Sequence, residues 1–273
     1  MKYKPSTKTE LQELVKDERV YLGDIDTSLI TDMSNLFDSG PRKDFSGIES
    51  WDVSNVTDMG FMFCLCMGFN EPLDSWDVSN VTNMENMFCM CFDFNQPLES
   101  WDVSKVEYMN SMFERCEKFN QPLNSWDVSN VITMDSMFCE CRKFNQPLNS
   151  WNVSNVVDMS CMFFECRKFN QPLNSWDVSN VTDMSYMFEK CVSFNQPLDE
   201  WNVENVTDMC CMFCGCCNFN RSLEKWGWGV SRVENITDMF ERCVSLKNKP
   251  SWYEWLVEKC QDEFDDECDE TLE

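Results

Sequence analysis

The stretch CCMFCGCCNF is the part of the sequence whose residue types and spacing could do chemistry, because it holds five cysteines within eight residues. Cys211 with Cys214, and Cys214 with Cys217, have the two-residue spacing at which thiolates bind zinc or an iron–sulfur cluster. The alternatives are an exposed reactive thiol and a set of buried structural cysteines. One stretch would have to supply all four ligands or recruit a neighbour, so we do not favour a metal site.

Histidine is absent from the chain, which removes the commonest general base and the commonest metal ligand. Carboxylates are plentiful, with 48 Asp and Glu, but most of them recur at the same place in a repeat. Acid–base catalysis needs two carboxylates in different environments, and a repeat supplies the same environment each time. We therefore expect no catalytic residues, no enzymatic activity and no cofactor.

The formal charge of −26 limits the classes of partner, because only 22 Lys and Arg oppose the acids. Binding to nucleic acid or to a bare anionic lipid surface is unfavourable for such a chain. The N-terminal residues contain no apolar run typical of a signal peptide, and no stretch reaches the roughly 18 apolar residues of a membrane span. These features predict no membrane insertion and indicate a cytoplasmic location. The oligomeric state stays open.

Tryptophan recurs every 25 residues, at positions 51, 76, 101, 126, 151, 176, 201 and 226. The string FNQPLNSW occurs three times without change, at 119–126, 144–151 and 169–176. A fixed period of this length is typical of proteins built from stacked repeats, in which each unit contacts its neighbours. We call each stretch from one repeat Trp to the residue before the next a unit.

The unit 176–200 shows the pattern of buried positions that all seven complete units share. Trp176 and Val178 are two residues apart, which is strand spacing. The apolar residues that follow step mostly by three, which indicates a short helix or 3₁₀ turn. An extended return through FNQPL closes the unit. Nine positions stay apolar in every unit, and here they are Trp176, Val178, Val181, Met184, Met187, Phe188, Cys191, Phe194 and Leu198.

Two further residue types recur once per unit and predict columns along the stack. Parallel side chains in stacked units have poor geometry for disulfides, so we expect the cysteines to be buried and reduced, in a reducing compartment. The asparagines can form a ladder that satisfies backbone groups, or act as separate turn formers. The cysteines are Cys66, Cys91, Cys116, Cys141, Cys166, Cys191 and Cys216, and the asparagines are Asn70, Asn95, Asn120, Asn145, Asn170, Asn195 and Asn220.

A candidate binding face follows from the polar residues that flank the first Val of each unit. On the outer side of the expected strand they would form a flat or concave strip, rich in carboxylates and hydroxyls, for a basic protein or an extended ligand. The alternative is that they keep this face soluble and satisfy the local backbone. The strip contains Asp52, Ser54, Asp77, Ser79, Asp102, Ser104, Asp127, Ser129, Asn152, Ser154, Asp177 and Ser179.

The string FNQPLNSWDVSNVTDMSYMFEKC resembles the repeat of the BspA-like leucine-rich repeat surface proteins of bacteria, and the resemblance covers residues 25–246. It implies a leucine-rich-repeat-like solenoid with a role in surface exposure, adhesion and protein binding. It implies a location at the cell surface, in contrast to the N-terminus. No catalytic residue is implied by it.

The ends of the array depart from the repeat, as the ends of stacked-repeat proteins do. Thr7 with Glu10, and Ser251 with Glu254, are capping-box pairs that predict a helix at each end. Trp252, Trp255 and Leu256 are expected to cover the open core. The predicted organisation is a capping helix in 1–24, an atypical first unit at 25–50, seven units at 51–225, a shortened unit at 226–246, a capping helix in 247–260 and an acidic tail at 261–273.

Overall fold

The computed structural model describes residues 2–40 and 42–269. Successive units lie side by side, and one parallel bridge joins each pair, seven residues after the repeat Trp. Tyr3 pairs with Ile25 in the same way at the N-terminal end. The other bridges connect, in order along the stack, Asp32, Asp58, Asn83, Tyr108, Thr133, Asp158, Asp183, Asp208 and Asn235.

Four backbone amides of each unit donate to carbonyls of the next unit. In the unit that begins at Trp176 the Met184 amide donates to Asp208 O at 3.0 Å, and Tyr186 to Cys210 O at 2.7 Å. The Phe188 amide donates to Met212 O at 2.9 Å, and the Lys190 amide donates to Cys214 O at 2.7 Å. Alternate amides therefore pair as in a parallel ladder.

The parallel bridge lies farther along the unit than the strand expected at its start. Trp176 and Val178 are buried and the residue between them is exposed, as strand spacing requires, but the bridge is at Asp183. The segment expected to be a short helix or 3₁₀ turn is a series of turns with bonds between residues i and i−3, such as Met187 N to Met184 O at 3.2 Å, which is the hydrogen-bond spacing of a 3₁₀ turn. Such turns also place an apolar side chain inward every three residues, so the sequence pattern looks helical.

Left-handed backbone prevents these turns from joining into a helix. Two residues of each unit have positive φ, for example Tyr186 at 58° and Lys190 at 56°. An L-residue in this conformation costs about 1–2 kcal/mol. The hydrogen bonds to the next unit compensate, because the amides of these two residues both belong to the ladder.

The core consists of the nine apolar positions of every unit, and their predicted burial is confirmed, with exposure no greater than 9%. Equivalent Phe rings stack from unit to unit. Phe163 and Phe188 lie 5.7 Å apart between centroids, with their planes 7° apart. A single cluster of buried side chains extends from Leu11 to Cys260, so neighbouring units share one continuous core.

Trp and Cys side chains satisfy backbone carbonyls inside this core. The indole Nε1 of Trp176 donates to Leu148 O in the preceding unit at 3.0 Å. The Cys191 thiol donates to Phe163 O at 2.8 Å, and that carbonyl also accepts the amide of Cys166 at 2.9 Å. Buried polar groups need such partners. The seventeen cysteines that the structure describes are all free, as expected.

The asparagine ladder is also present. Asn170 Oδ1 accepts the backbone amide of Asn195 at 2.9 Å, and the same bond joins the six successive pairs from Asn70 to Asn220. Gln196 Nε2 donates to Asn170 O at 3.0 Å. The recurring Asn and Gln thus connect neighbouring returns instead of acting as independent turn formers.

The spacing between equivalent groups is unequal across the unit. Parallel hydrogen bonding sets a backbone spacing of about 4.8 Å at the bridge column. The distance between ring centroids is 5.7 Å for Phe163 and Phe188, 6.1 Å for Phe169 and Phe194, and 6.4 Å for Trp176 and Trp201. The units are closest together at the bridges and farthest apart at the Trp column. We call the bridge side of the stack its inner side and the Trp side its outer side.

Helix α1, Lys8–Lys16, covers the N-terminal end of the core with Leu11 and Val15. The Thr7 hydroxyl caps it, and the Glu10 carboxylate accepts the amide of Ser6 at 2.7 Å. Buried Arg42 fixes the end of α1, since its guanidinium donates to the carbonyls of Val15, Asp17, Val20 and Asp44.

Helix α2, Tyr253–Asp269, covers the other end and continues past residue 260 into the predicted acidic tail. Residues 270–273 of that tail lie outside the described residues. Trp252 and Leu256 are buried as predicted, but Trp255 is 54% exposed and Tyr253 is buried instead. The Ser251 hydroxyl donates to Glu224 in the seventh unit, which differs from the predicted capping box. No described helix is long and apolar enough to span a bilayer.

The ladder makes a specific prediction for Asn145, whose Oδ1 accepts from Asn170 N at 2.9 Å and from Gln171 Nε2 at 3.2 Å. Asn145→Leu leaves the Asn170 amide without an acceptor and removes one of the two acceptors of Gln171 Nε2, which keeps Asn145 O, so it should lower the free energy of unfolding by about 1–3 kcal/mol. Asn149→Leu is the matched control, because that side chain is exposed. Equal denaturant midpoints for the two variants would contradict a stabilising ladder.

Candidate functional site

The predicted strip of Asp and Ser lies in the turn that precedes the bridge, beside the Trp column, and so on the outer side of the stack. Within each unit the pair is close. Asp77 Oδ1 accepts the amide of Ser79 at 3.1 Å, and the bond recurs in the units of Asp52, Asp102, Asp127, Asn152 and Asp177. The placement differs from the concave strand face expected from sequence, because the strand-like pairing occurs farther along the unit.

Local hydrogen bonds account for much of this strip. The hydroxyl and amide of Ser79 hold the pKa of Asp77 below its ordinary value, and the corresponding serines lower the pKa of Asp102 and Asp177. These carboxylates are therefore charged and exposed, and their bonds close a turn. The prediction that the strip binds a partner remains a prediction.

A second asparagine column next to the strip was missed by the sequence analysis. Asn180 Nδ2 donates to Ser154 O of the preceding unit at 2.7 Å, and Lys105 replaces the asparagine in one unit. The sequence signal for this column is an Asn four residues after nearly every repeat Trp. Recurrence once per unit also indicated the first ladder. The column contains Asn55, Asn80, Asn130, Asn155, Asn180 and Asn205.

The cysteine cluster is divided between the core and the surface. The thiols of Cys210 and Cys211 are 3.7 Å apart, whereas Cys217 turns toward Gly215 O at 3.4 Å. Burial raises the pKa of Cys211 and of Cys214 above the ordinary thiol value. A raised pKa keeps these thiols protonated, which opposes nucleophilic reactivity.

The metal candidates Cys211, Cys214 and Cys217 are not gathered into a coordination site. Among the residues that the structure describes, no three Cys, Asp or Glu side chains are placed to hold a metal ion. Cys210 and Cys216 are buried, whereas Cys211, Cys214 and Cys217 are partly exposed.

The side chains around the bridges form another surface, which we call the inner columns. In each unit they stand 7, 9, 10, 13 and 14 residues after the repeat Trp. Contacts show that they share one face. The Cys210 thiol lies 3.5 Å from Tyr186 Oη, and the charges of Asp183 and Glu189 raise the pKa of Cys161 in the preceding unit, in addition to the effect of burial.

Carboxylates in the inner columns are close enough to repel one another. Burial, and then the charge of Asp158 in the next unit, raise the pKa of Asp135 from 3.8 to about 6. Basic residues offset part of the charge, since Lys190 lies 3.2 Å from Glu165 and 3.4 Å from Glu189. Uncompensated carboxylates on an inner surface can bind cationic groups, and a cation there would relieve the repulsion.

The repeated backbone bonds and side-chain columns define a tandem-repeat protein. The chain belongs to the family described as "Mycoplasma protein of unknown function, DUF285", whose model matches three overlapping stretches, residues 9–123, 94–191 and 172–267. The matches together cover nearly the whole array and both ends. Neither a curated protein nor a solved structure matches the chain.

The raised pKa of Asp135 predicts a pH-dependent effect of its removal. A carboxyl with a raised folded-state pKa stabilises the protein below the unfolded pKa, and this contribution is lost as the pH rises through the folded value. Asp135→Asn should therefore become more stable relative to the unsubstituted chain between about pH 4 and about pH 7. Urea denaturation at both pH values measures the change.

Asp177→Asn is the control of opposite sign. The pKa of Asp177 is lowered by the hydroxyl and amide of Ser179, so its charge stabilises the folded chain above the unfolded pKa. Relative to the unsubstituted chain, this variant should lose stability as the pH rises toward the unfolded pKa of about 4, by a small amount because the group is exposed, and should change little between pH 4 and pH 7. Parallel profiles for the two variants would contradict the assigned environments.

Proposed function

We propose that this chain is a non-enzymatic protein-interaction module, built as a leucine-rich-repeat-like solenoid, that binds its partner through the inner columns. The observation that carries the proposal is the distribution of sequence variation among the units. Residues that face the core or join neighbouring units are nearly constant, whereas the inner columns, which are partly buried or exposed at most positions, vary from unit to unit.

The five inner positions illustrate this variation. In the unit of Trp176 they are Asp, Ser, Tyr, Glu and Lys, and in the unit of Trp201 they are Asp, Cys, Cys, Cys and Gly. The units share one backbone, so a change at these positions alters the surface without altering the fold. Such a face can recognise an irregular partner, whereas the constant Asp and Ser columns offer the same groups at every level.

The chemistry of the inner columns favours a partner with basic character. Asp158, Asp183 and Glu189 lie there beside exposed aromatic rings, of which Tyr108 is 41% and Tyr186 is 36% exposed. Aromatic and acidic groups side by side suit Lys and Arg side chains. The net charge of −26 would steer such a partner toward the stack.

The resemblance to BspA-like surface proteins supports an adhesive role at a cell surface as the particular form of this function. Labelling of intact source cells with a membrane-impermeant biotin tests the location. Labelled protein would support adhesion, and protein confined to the cytosol would direct the search for a partner inward and contradict the adhesive role.

A photo-crosslinking residue in place of Tyr186 tests the binding face, because Tyr186 belongs to the inner columns. The control carries the same residue in place of Asp127 on the outer strip. We expect one discrete crosslinked partner from the Tyr186 position only, and loss of that product in an Asp158→Lys, Asp183→Lys double variant. The matched Asp77→Lys, Asp102→Lys variant should retain it.

Crosslinking only from the Asp127 position would assign binding to the Asp and Ser strip and contradict the inner-column proposal. The experiment is done in cells that contain every native partner. If neither position gives a crosslinked product there, the proposal of an interaction module itself is contradicted. The denaturant midpoints of the two double Lys variants show whether any loss of crosslinking reflects unfolding.

A further inference from the structure

Two departures from the repeat meet at the C-terminal end of the stack. The position after the first Val is Ser in six units, but it is Glu204 in the seventh. In the following unit the repeat Trp and its Val, Trp226 and Val230, are four residues apart instead of two. The inserted pair places an additional indole, Trp228, in this segment. Neither departure is needed for the core.

The insertion folds outward without disturbing the buried columns. Trp226 and Val230 are 1% and 0% exposed, and 3₁₀ turns at Glu224–Trp228 and Val230–Arg232 carry the additional residues. Trp228 is 92% exposed. Full exposure of the largest apolar side chain is unusual for a residue without a partner, and indoles are among the commonest anchors of interfaces.

Gly229 brings the insertion against Glu204. A Cβ atom at Gly229 would stand 3.3 Å from Glu204 N and 3.4 Å from Glu204 Cγ, so only glycine allows this approach without displacing a neighbour. Gly227 is similarly placed, with Trp252 Cδ1 3.0 Å from the position of a Cβ atom. The two glycines therefore hold Trp228 beside the one unit that carries Glu204.

These residues line a cavity of about 210 Å³, which has room for a single side chain. Three acids, Asp199, Glu200 and Glu204, are among its lining residues. Lys225 forms ion pairs with Asp199 and Glu200, whereas the Glu204 carboxylate forms none with any residue that the structure describes. An unpaired carboxylate and an exposed indole thus face the same small space.

We propose that this cavity binds an organic cation, the Lys or Arg side chain of a partner protein, with the charge over the Trp228 indole and paired with Glu204. Trp is the best aromatic partner for a cation, and a carboxylate beside the ring adds charge pairing. A purely apolar ligand is disfavoured by the three acids. The site lies on the outer side of the stack. The proposal therefore does not depend on whether the inner columns bind a partner.

Nuclear magnetic resonance on the full chain tests the site through its indole N–H signals, with Trp228→Ala used to assign the Trp228 signal. N-acetyl-arginine amide is the probe, and the citrulline analogue is its neutral control of nearly the same shape. We expect a saturable shift of the Trp228 signal with the arginine probe and none with citrulline. Trp255, 54% exposed elsewhere, serves as the internal control and should show no saturation.

Glu204→Gln should weaken the arginine probe about two- to fivefold, the scale of one exposed ion pair. Asp127→Asn removes the same charge far from the cavity and should leave the affinity unchanged. Tighter binding of tetramethylammonium than of arginine would overturn the assignment to a protein side chain in favour of a small quaternary ligand. Equal shifts with citrulline, or no saturable shift with any cation, would overturn the proposal.

Discussion

Every unit of this protein depends on its neighbours for the partners of its backbone. Four amides per unit donate to the next unit, and the turns that orient them require left-handed residues that would be unfavourable in isolation. A single unit could not hold that conformation, because the compensating bonds exist only between units. The stack is therefore cooperative from one end to the other, and α1 and α2 provide the covers that the first and last units require.

The near-identity of the repeats follows from the same constraint. The Trp indole, the Cys thiol and the ladder Asn each bond to a backbone group one unit away, and the same three bonds recur along the stack. A substitution at any of these positions would leave a buried donor or carbonyl without its partner in the adjacent unit. The string FNQPLNSW contains the ladder Asn, the Gln that supports it and the repeat Trp, so it has little freedom to vary.

We propose that function resides where that constraint is relaxed. The inner columns vary from unit to unit because their side chains project from the ladder without forming it, and the C-terminal insertion varies because it lies outside the regular turn. Both surfaces bring carboxylates and aromatic rings together in a strongly acidic chain. The proposed partner is therefore cationic in each case, although one surface lies on the inner side of the stack and the other on the outer side.

The sequence by itself determined the period, the nine buried positions, the cysteine and asparagine columns and the helix at each end, because burial and recurrence leave direct periodic signals. It placed the parallel pairing beside the repeat Trp, whereas the bridge lies seven residues farther on, and it left a helix and a 3₁₀ turn open, since i−3 turns and helices bury side chains at nearly the same interval. Only the tertiary structure decided which polar residues share a surface. The unequal spacing of the units, the grouping of Asp135 with Asp158 and the approach of Gly229 to Glu204 all arise from contacts between units, and the spacing within one unit does not encode such contacts.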